Sequence, residues 1–551
     1  MKRIHGRTRW GRLAAIFGAA AVTALQCLAV PAFAGFELPP GERITNLPAI
    51  PRNMPQKEAY ELYDPVIGRN FDIKNLWMRA DLRVRPEMRN NACFGLAQGA
   101  GGTCNSFGTR GTAAGGGNKG NDMFVQQWMR LGIGYDLSPD VNFYVEIIDS
   151  ANWGSNGAAT NAGNGGDPLN HNGASASGAG NGGRLGVRAA YMLIRNLADV
   201  QGLSVKIGRQ YVVFGNHSLF GHFDWANTGY SHDGVMFAYQ TKNWDSYFGW
   251  FRNSESDLGQ ASPVGSGAPN IAGSGAQDAN RDADMFIFYN QIKMVPGMVI
   301  EPFYVLYQNR YGSADFAGQG LGTAKHSNQT RHMVGNRIEM RKGGFDFSNE
   351  IAYQFGQMGQ AGACVGEQKC LHINAWATRN WIGYTFYDTA WKTRLAFNLD
   401  YASGDSRNNT CTNGSNCKTA NTFENFFPTN HIHMGYMDVQ AWKNMLSPSV
   451  NLQARPSARD HIELWYTNLN LANSKDCWYR AAQGCYVFSN ANNTKTHIGD
   501  EIDVSYTRMF ADGKVALQTT YGTIFSGGYL TSTLNQTQNQ HWAYMSLWMN
   551  F

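Results

Sequence analysis

The feature that most constrains this chain is a two-residue alternation of apolar and charged side chains, strictest over residues 75–89. Positions 76, 78, 80, 82, 84 and 88 are apolar, and the positions between them carry Arg79, Asp81, Arg83, Arg85, Glu87 and Arg89. Successive residues of a strand point to opposite faces, so one face is apolar and the other is charged. A soluble sheet would turn the charged face to water, whereas a transmembrane barrel turns the apolar face to lipid. A one-residue slip would move these charges into lipid, at roughly 2–4 kcal/mol for each Arg at the midplane, so the register is strongly fixed.

The alternation recurs along the chain and predicts eighteen strands. We place them at 75–89, 123–136, 141–150, 185–197, 203–213, 231–240, 244–253, 283–294, 298–310, 330–342, 345–357, 371–386, 391–404, 436–456, 461–470, 497–509, 514–525 and 541–551. Two of them are irregular: Pro448 interrupts 436–456, and Glu301 shares a face with the apolar Phe303 and Val305. Short turns alternate with long segments rich in Gly, Ala, Asn and Ser, and the closing strand ends on Phe551. Short periplasmic turns, long extracellular loops and an even strand number are typical of outer-membrane barrels. We therefore predict an all-β, transmembrane antiparallel barrel over residues 71–551.

The N-terminal residues predict export. Five basic residues precede an apolar run that ends at Ala32-Phe33-Ala34, a pattern typical of a secretory signal over residues 1–34. Five of the 46 Lys and Arg residues lie in this leader, so 41 remain against 41 Asp and Glu. A neutral mature chain argues against nucleic-acid binding, which needs a basic surface. Residues 35–70 hold six prolines and are interpreted as a periplasmic lead segment or a partial plug.

Eight cysteines follow the leader and form four close pairs. They are Cys93 and Cys104, Cys364 and Cys370, Cys411 and Cys417, and Cys477 and Cys485. An even count in an exported chain favours disulfides, and the spacings do not suit a zinc site. We predict four loop disulfides, with no metal and no cofactor.

Several short motifs are scattered over residues 185–551. They are 205–210 (VKIGRQ), 224–227 (DWAN), 232–235 (HDGV), 401–405 (YASGD), 427–431 (FPTNH) with Gly435, 499–503 (GDEID) and 522–525 (GTIF). Together they resemble the alginate-export family of outer-membrane barrels. The resemblance implies a monomeric channel, and the founding member of the family exports a polyanionic uronate polysaccharide through an arginine-lined pore. That exporter has a long periplasmic loop near its C-terminus that plugs the pore, whereas here the corresponding turn is about 511–513. Residues 35–70 or a folded-in outer loop could plug the pore instead.

Strand parity selects the candidate pore-lining residues. The inward basic set is Arg79, Arg83, Arg85, Arg89, Arg130, Arg188, Lys206, Arg337, Arg341, Arg394 and Arg455. The inward acidic set is Asp81, Glu87, Glu146, Glu339, Glu350, Asp400, Glu463, Glu501 and Asp503. Many of these charges could pair with one another and hold the shape of the lumen, so the count alone does not establish anion selectivity. The arginines at alternate positions of the first strand would form a ladder in steps of about 7 Å, and guanidinium groups suit carboxylates.

Three further candidates, Arg209, Asp224 and Asp233, carry the family motifs. Arg209 and Asp233 share parity with apolar neighbours, so simple alternation points them at lipid. Either a bulge reorients them or they lie above the hydrocarbon band. A constriction pair formed by Arg209 with Asp224 or Asp233 and a purely structural ion pair both remain open.

The sequence thus predicts a non-enzymatic, passive channel in the bacterial outer membrane. We expect its solutes to be anionic, either a uronate polysaccharide or small organic anions, with periplasmic partners if a polymer is exported. One alternative is a general or substrate-specific uptake porin. Others are a sheath around an exported partner protein such as a cytochrome, and an adhesin or receptor that uses the outer loops.

Overall fold

The protein is described by a computed structural model that covers most of the chain beyond residue 72. It describes residues 73–91, 122–153, 185–225, 229–254, 283–309, 329–358, 371–405, 419–479, 485–487, 493–533 and 538–550. Several predictions concern residues outside the described ranges. These are the signal peptide (residues 1–34), the lead segment (residues 35–70) and the cysteines other than Cys477 and Cys485. The side chain of Cys485 also lies outside the described residues. The four disulfides, the signal peptide and the lead segment stay predictions.

Eighteen strands form the wall of a closed barrel. They are β1 (Leu76–Asn90), β2 (Asp122–Ser138), β3 (Val141–Trp153), β4 (Leu185–Ile194), β5 (Leu203–Gln210), β6 (His232–Gln240), β7 (Trp244–Ser254), β8 (Ala283–Ile292), β9 (Met298–Asn309), β10 (Gln329–Lys342), β11 (Phe345–Met358), β12 (Leu371–Thr385), β13 (Arg394–Ala402), β14 (Met445–Ser457), β15 (Asp460–Leu471), β16 (His497–Phe510), β17 (Val515–Ser526) and β18 (Gln540–Asn550). Each strand pairs antiparallel with the next, and β18 pairs with β1 to close the barrel. The predicted fold class and strand number are confirmed. Three shorter strands lie in connections: Thr419–Ala420, Trp478–Tyr479 and Cys485–Val487.

One predicted strand was too long. Residues 436–456 were expected to form a strand, but β14 begins only at Met445. Residues 436–444 belong instead to a connection that packs inside the barrel. Pro448 lies within β14, opposite Leu399 of β13.

The two ends of the barrel differ as predicted. At one end, which we call the turn end, all eight connections are short, such as Gly343–Gly344 between β10 and β11 and the 3-10 turn Ala511–Gly513 after β16. The long connections leave from the opposite end, which we call the loop end. Among the described residues, no helix is long and apolar enough to span a membrane.

Two long connections fold from the loop end into the lumen. We call residues 211–231, of which 211–225 and 229–231 are described, inner loop 1, and residues 419–444 inner loop 2. The loops pair with each other: the backbone N–H of Gly221 donates to the carbonyl of Phe427 (2.8 Å), and that of Phe427 donates to the carbonyl of Leu219 (3.0 Å). The expectation that an outer loop could occupy the lumen therefore matches the structure.

The inner loops explain the irregular parity of β9. Glu301, Phe303, Val305 and Tyr307 are all buried and share the inward face. The three apolar side chains belong to a cluster with residues of both inner loops, including Phe220 and Phe427. On this side of the barrel the loops supply an apolar core, so the wall is apolar inside as well as outside. Elsewhere the outward face is apolar, as at Phe248, which is 50% exposed, and the inward face is polar.

Candidate functional site

The inward side chains of β1, β2 and β4 form a continuous basic surface, which we call the arginine wall. Its members are Arg79, Arg83, Arg85, Arg89, Arg130 and Arg188. Alternation places the first four on one face of β1, and the β1–β2 register sets Arg130 directly beside Asp81. On β4, an extra residue relative to β3 produces a register shift at which both Arg188 and Ala189 are buried. Five of the six arginine side chains are fully buried, and Arg79 keeps 14% of its side-chain surface exposed.

Neighbouring carboxylates on the wall neutralise part of this charge. Arg79 contacts Asp81 at 2.7 Å. Glu87 bridges two arginines, with Arg85 at 2.7 Å and Arg89 at 3.0 Å. Buried opposite charges two residues apart on one strand face hold each other in place. The structural pairing expected for these charges is therefore present. Four arginines of the wall also donate to inner loop 1: Arg83, Arg85, Arg130 and Arg188.

Inner loop 1 brings Asp224 and Trp225 against the arginine wall. The Asp224 carboxylate lies 3.0 Å from Arg130 and 3.2 Å from Arg188. Burial alone would raise the pKa of Asp224, but Arg130, His222 and Arg188 outweigh it and hold the pKa well below its usual range. Asp224 therefore lies inside the barrel, and its partners are Arg130 and Arg188 rather than Arg209.

The carbonyl oxygens of Asp224 and Trp225, together with the indole ring of Trp225, contact arginines of β1. Arg83 donates from Nη1 to the carbonyl oxygens of Asp224 (2.6 Å) and Trp225 (2.7 Å). Arg85 donates to the carbonyl of Trp225 (2.8 Å), and its guanidinium lies 3.4 Å from the centroid of the indole. The other face of that indole stacks on His431 of inner loop 2 at 3.5 Å. Two arginines of the predicted ladder, Arg83 and Arg85, are thus covered by inner loop 1.

Carboxylates of β16, which is separated from β1 by β17 and β18, hold inner loop 2. The backbone N–H of Tyr436 donates to Asp503 of β16 (3.1 Å), and that of Met437 donates to Glu501 (2.9 Å). Gly435 has a φ of +85° and packs against Glu501 so closely that a Cβ would not fit. Glu501 and Asp503 therefore point into the barrel, and both anchor backbone amides.

Most of the other predicted pore-lining residues either contact a partner side chain or lie near the turn end of the barrel. Arg337 binds Glu301 and Glu339, Arg394 binds Asp346 at 2.7 Å, and Asp400 binds Arg379 at 3.0 Å. Lys206 lies 4.6 Å from the ring centroid of Tyr191. Arg341 is half-buried and Arg455 is exposed, and both lie on the inward parity near the turn end.

Arg209 and Asp233 do not line the lumen. They form a two-bond ion pair, 2.6 Å and 2.8 Å, between β5 and β6. The pair shares the outward face with Ile207, and 49% of the Asp233 side chain is exposed. The β5–β6 register has no bulge, so the two side chains keep the outward direction that alternation gives them. They lie at the loop-end termini of their strands, where the cost of charge near lipid is small.

Sequence reasoning missed several inward charges. Arg331 and Arg379 satisfy the parity of their strands, and a stricter alignment of β10 and β12 would have found them. Lys443 lies on inner loop 2, where no periodicity could reveal it. Among the strand residues whose side chains the structure describes, inward bases and acids are equal in number: Arg79, Arg83, Arg85, Arg89, Arg130, Arg188, Lys206, Arg331, Arg337, Arg341, Arg379, Arg394 and Arg455 against Asp81, Glu87, Asp136, Glu146, Asp245, Glu301, Glu339, Asp346, Glu350, Asp400, Glu463, Glu501 and Asp503. Any selectivity must therefore come from where the charges lie, not from their total.

Comparison with known proteins identifies the sequence as similar to one family over most of its length. The model of the family described as alginate export matches residues 76–544. Among solved structures, the crystal structure of Pseudomonas aeruginosa OpdO has 9% identity and a TM-score of 0.48, and covers 87% of this chain and 97% of that chain. The Pseudomonas aeruginosa OccK2 (OpdF) structure in complex with glucuronate has 10% identity and a TM-score of 0.47, with 87% and 99% covered. No curated protein sequence matches the chain.

Proposed function

This chain belongs to the alginate export family, and we propose that it is a passive channel for anionic solutes, with uronate polysaccharides as the favoured class. Its location is the bacterial outer membrane, where closed barrels of this family lie. The observation that carries the proposal is the arginine wall, where six arginines stand against four inward carboxylates of the same part of the barrel, Asp81, Glu87, Asp136 and Glu146. The rest of the inward wall is correspondingly acidic. An anion therefore has one favourable side of the lumen along which to move.

The chemistry of the wall suits a polymer that carries one carboxylate on each unit. Arginine stays charged at every physiological pH and binds carboxylates with a planar fork. Alternate residues of β1 repeat every 7 Å or so, which offers successive binding positions. Conduction requires that each position bind the solute weakly enough to release it. Asp81 and Glu87 weaken the positive field of the neighbouring arginines. We also propose that the channel acts as a monomer and that periplasmic partners deliver the polymer to it.

Two other functions fit the barrel fold less specifically. A general or substrate-specific uptake porin would share the fold and differ in its solute. A sheath around a partner protein is disfavoured because the two inner loops already fill part of the lumen with their own side chains.

Blockade of the reconstituted channel by an oligouronate tests the proposal. Arg79→Ser should raise the half-blocking concentration by up to about tenfold, the equivalent of 1.4 kcal/mol, because it removes a partly exposed cation of the wall. Arg341→Ser, which removes an inward cation from the opposite side near the same end, should leave blockade unchanged. Equal effects of both variants, or no blockade of the unmodified channel, would contradict a path along the arginine wall.

A further inference from the structure

Four arginines of the wall converge on two consecutive residues of inner loop 1. Arg130 and Arg188 hold the carboxylate of Asp224, while Arg83 and Arg85 hold the carbonyl oxygens of Asp224 and Trp225. These arginines come from β1, β2 and β4, so the site is built by the barrel wall and not by the loop. All four guanidinium groups are buried.

The two loop residues present the chemical groups of an acidic sugar. They offer one carboxylate, two further oxygen acceptors and one flat ring, and the ring lies between the Arg85 guanidinium and the His431 imidazole. Aromatic rings and guanidinium groups stack on flat partners, and arginine forks bind carboxylate oxygens. A sugar unit with one carboxylate could satisfy the same donors.

The inner loops differ in whether an anion can replace them. The arginine wall holds inner loop 1 through oxygen acceptors, which are the groups that a carboxylate also supplies. Glu501 and Asp503 hold inner loop 2 through backbone N–H donors, and an anion has no N–H to offer in exchange. An anionic solute can therefore compete with inner loop 1 at the arginine wall and not with inner loop 2 at Glu501 and Asp503.

We propose that Asp224 and Trp225 form an internal ligand that fills the solute site of the arginine wall until a carboxylate of the solute exchanges with it. This inference rests on the proposed function, since it requires that anionic solutes travel along the wall. Exchange keeps the buried arginines paired throughout, which avoids the cost of leaving a buried charge uncompensated. It also gives the arginine wall an occupied resting arrangement that the solute itself releases.

Asp224→Asn tests the exchange directly. It removes the charge that competes for Arg130 and Arg188 and keeps the size of the side chain, so the oligouronate concentration for half-blockade should fall about tenfold, and conductance without solute should rise. Asp233→Asn is the matched control, because Asp233 lies on the outward face with Arg209, and it should behave like the unmodified protein. Half-blockade at an unchanged or higher concentration in Asp224→Asn would overturn the internal ligand.

Hydrogen exchange of the unmodified protein keeps the test independent of how the variant folds. An oligouronate should speed exchange of backbone amides in 216–225, whereas a neutral oligoglucan of equal length should not. Unchanged or slower exchange with the oligouronate would contradict displacement. Failure of the proposed function is recognised separately: the unmodified channel would then show neither anion selectivity nor blockade. Selectivity with blockade, but without faster exchange, refutes only the internal ligand.

Discussion

Removal of Lys443 should loosen inner loop 2 more than any exposed substitution. The ammonium of Lys443 lies 2.7 Å from the Glu424 carboxylate, and both side chains are completely buried. The backbone of Glu424 is fixed to β11 by two bonds with Gln354, at 2.6 Å and 3.0 Å. Lys443→Met keeps the volume but leaves a buried carboxylate without its ammonium. Removal of one partner of a buried pair typically costs about 3–5 kcal/mol, so the free energy of loop opening should fall by about that amount.

The double variant Lys443→Met/Glu424→Gln separates lost charge pairing from lost packing. Replacement of both partners of a buried pair by neutral groups is often close to neutral, so most of the lost stability should return. The assay is hydrogen exchange of amides in 423–444, which reports local opening free energies. Arg252→Met, at a partly exposed pair with Asp284, is the control and should cost at most about 1 kcal/mol. The reasoning would be refuted if amides in 423–444 were as protected from exchange in Lys443→Met as in the unmodified protein. It would also be refuted if the double variant were as poorly protected as Lys443→Met.

Three further predictions concern a loop carboxyl, a strand glycine and the lipid face. Burial raises the pKa of Asp476 to about 6, above the ordinary value near 4, so its contribution to stability is full below pH 4 and is lost as pH rises through 6. Asp476→Asn should therefore flatten the pH dependence of exchange in 472–479 by up to about 3 kcal/mol, and an unchanged profile would contradict this. Gly208→Ala should lower the melting temperature of the barrel, because Gly208 has a φ of +121° and a Cβ would collide with the Ala190 carbonyl. Gly343 has a φ of +58° and a Cβ there would meet open space, so Gly343→Ala should lower the melting temperature much less. Phe248→Arg should cost about 2–4 kcal/mol of stability in vesicles if Phe248 faces the bilayer interior, and Trp244→Arg, at the turn-end terminus of the same strand, should cost clearly less; equal losses would show the lipid boundary to be elsewhere.

Strand number and direction could be predicted because each strand carries its own pattern. The alternation in β1 and the short turns, such as 343–344, are local features that need no knowledge of the rest of the chain. Strand ends were correct to within a few residues wherever the pattern stopped at a turn. At 436–444 the prediction failed because apolar residues there pack against the other loop and the inner wall.

The arrangement of the lumen could not be predicted in the same way. No periodicity marks inner loop 1 or inner loop 2, so nothing in the sequence indicates that Asp224 would meet Arg130 and Arg188. The partners are 94 and 36 residues apart along the chain, and only the closed barrel brings them together. Parity alone did place Arg83 and Arg85 inward, but it could not show that Trp225 covers them.

The reversal potential of the unmodified channel in a planar bilayer under a salt gradient tests the central claim most directly. If anions move along the arginine wall, the reversal potential should lie on the anion side, and the combined replacement of Arg79, Arg83 and Arg85 by Ser should shift it toward zero. The equal number of inward bases and acids gives no other reason for anion selectivity. A reversal potential at zero or on the cation side, or one that the triple replacement leaves unchanged, would contradict the account.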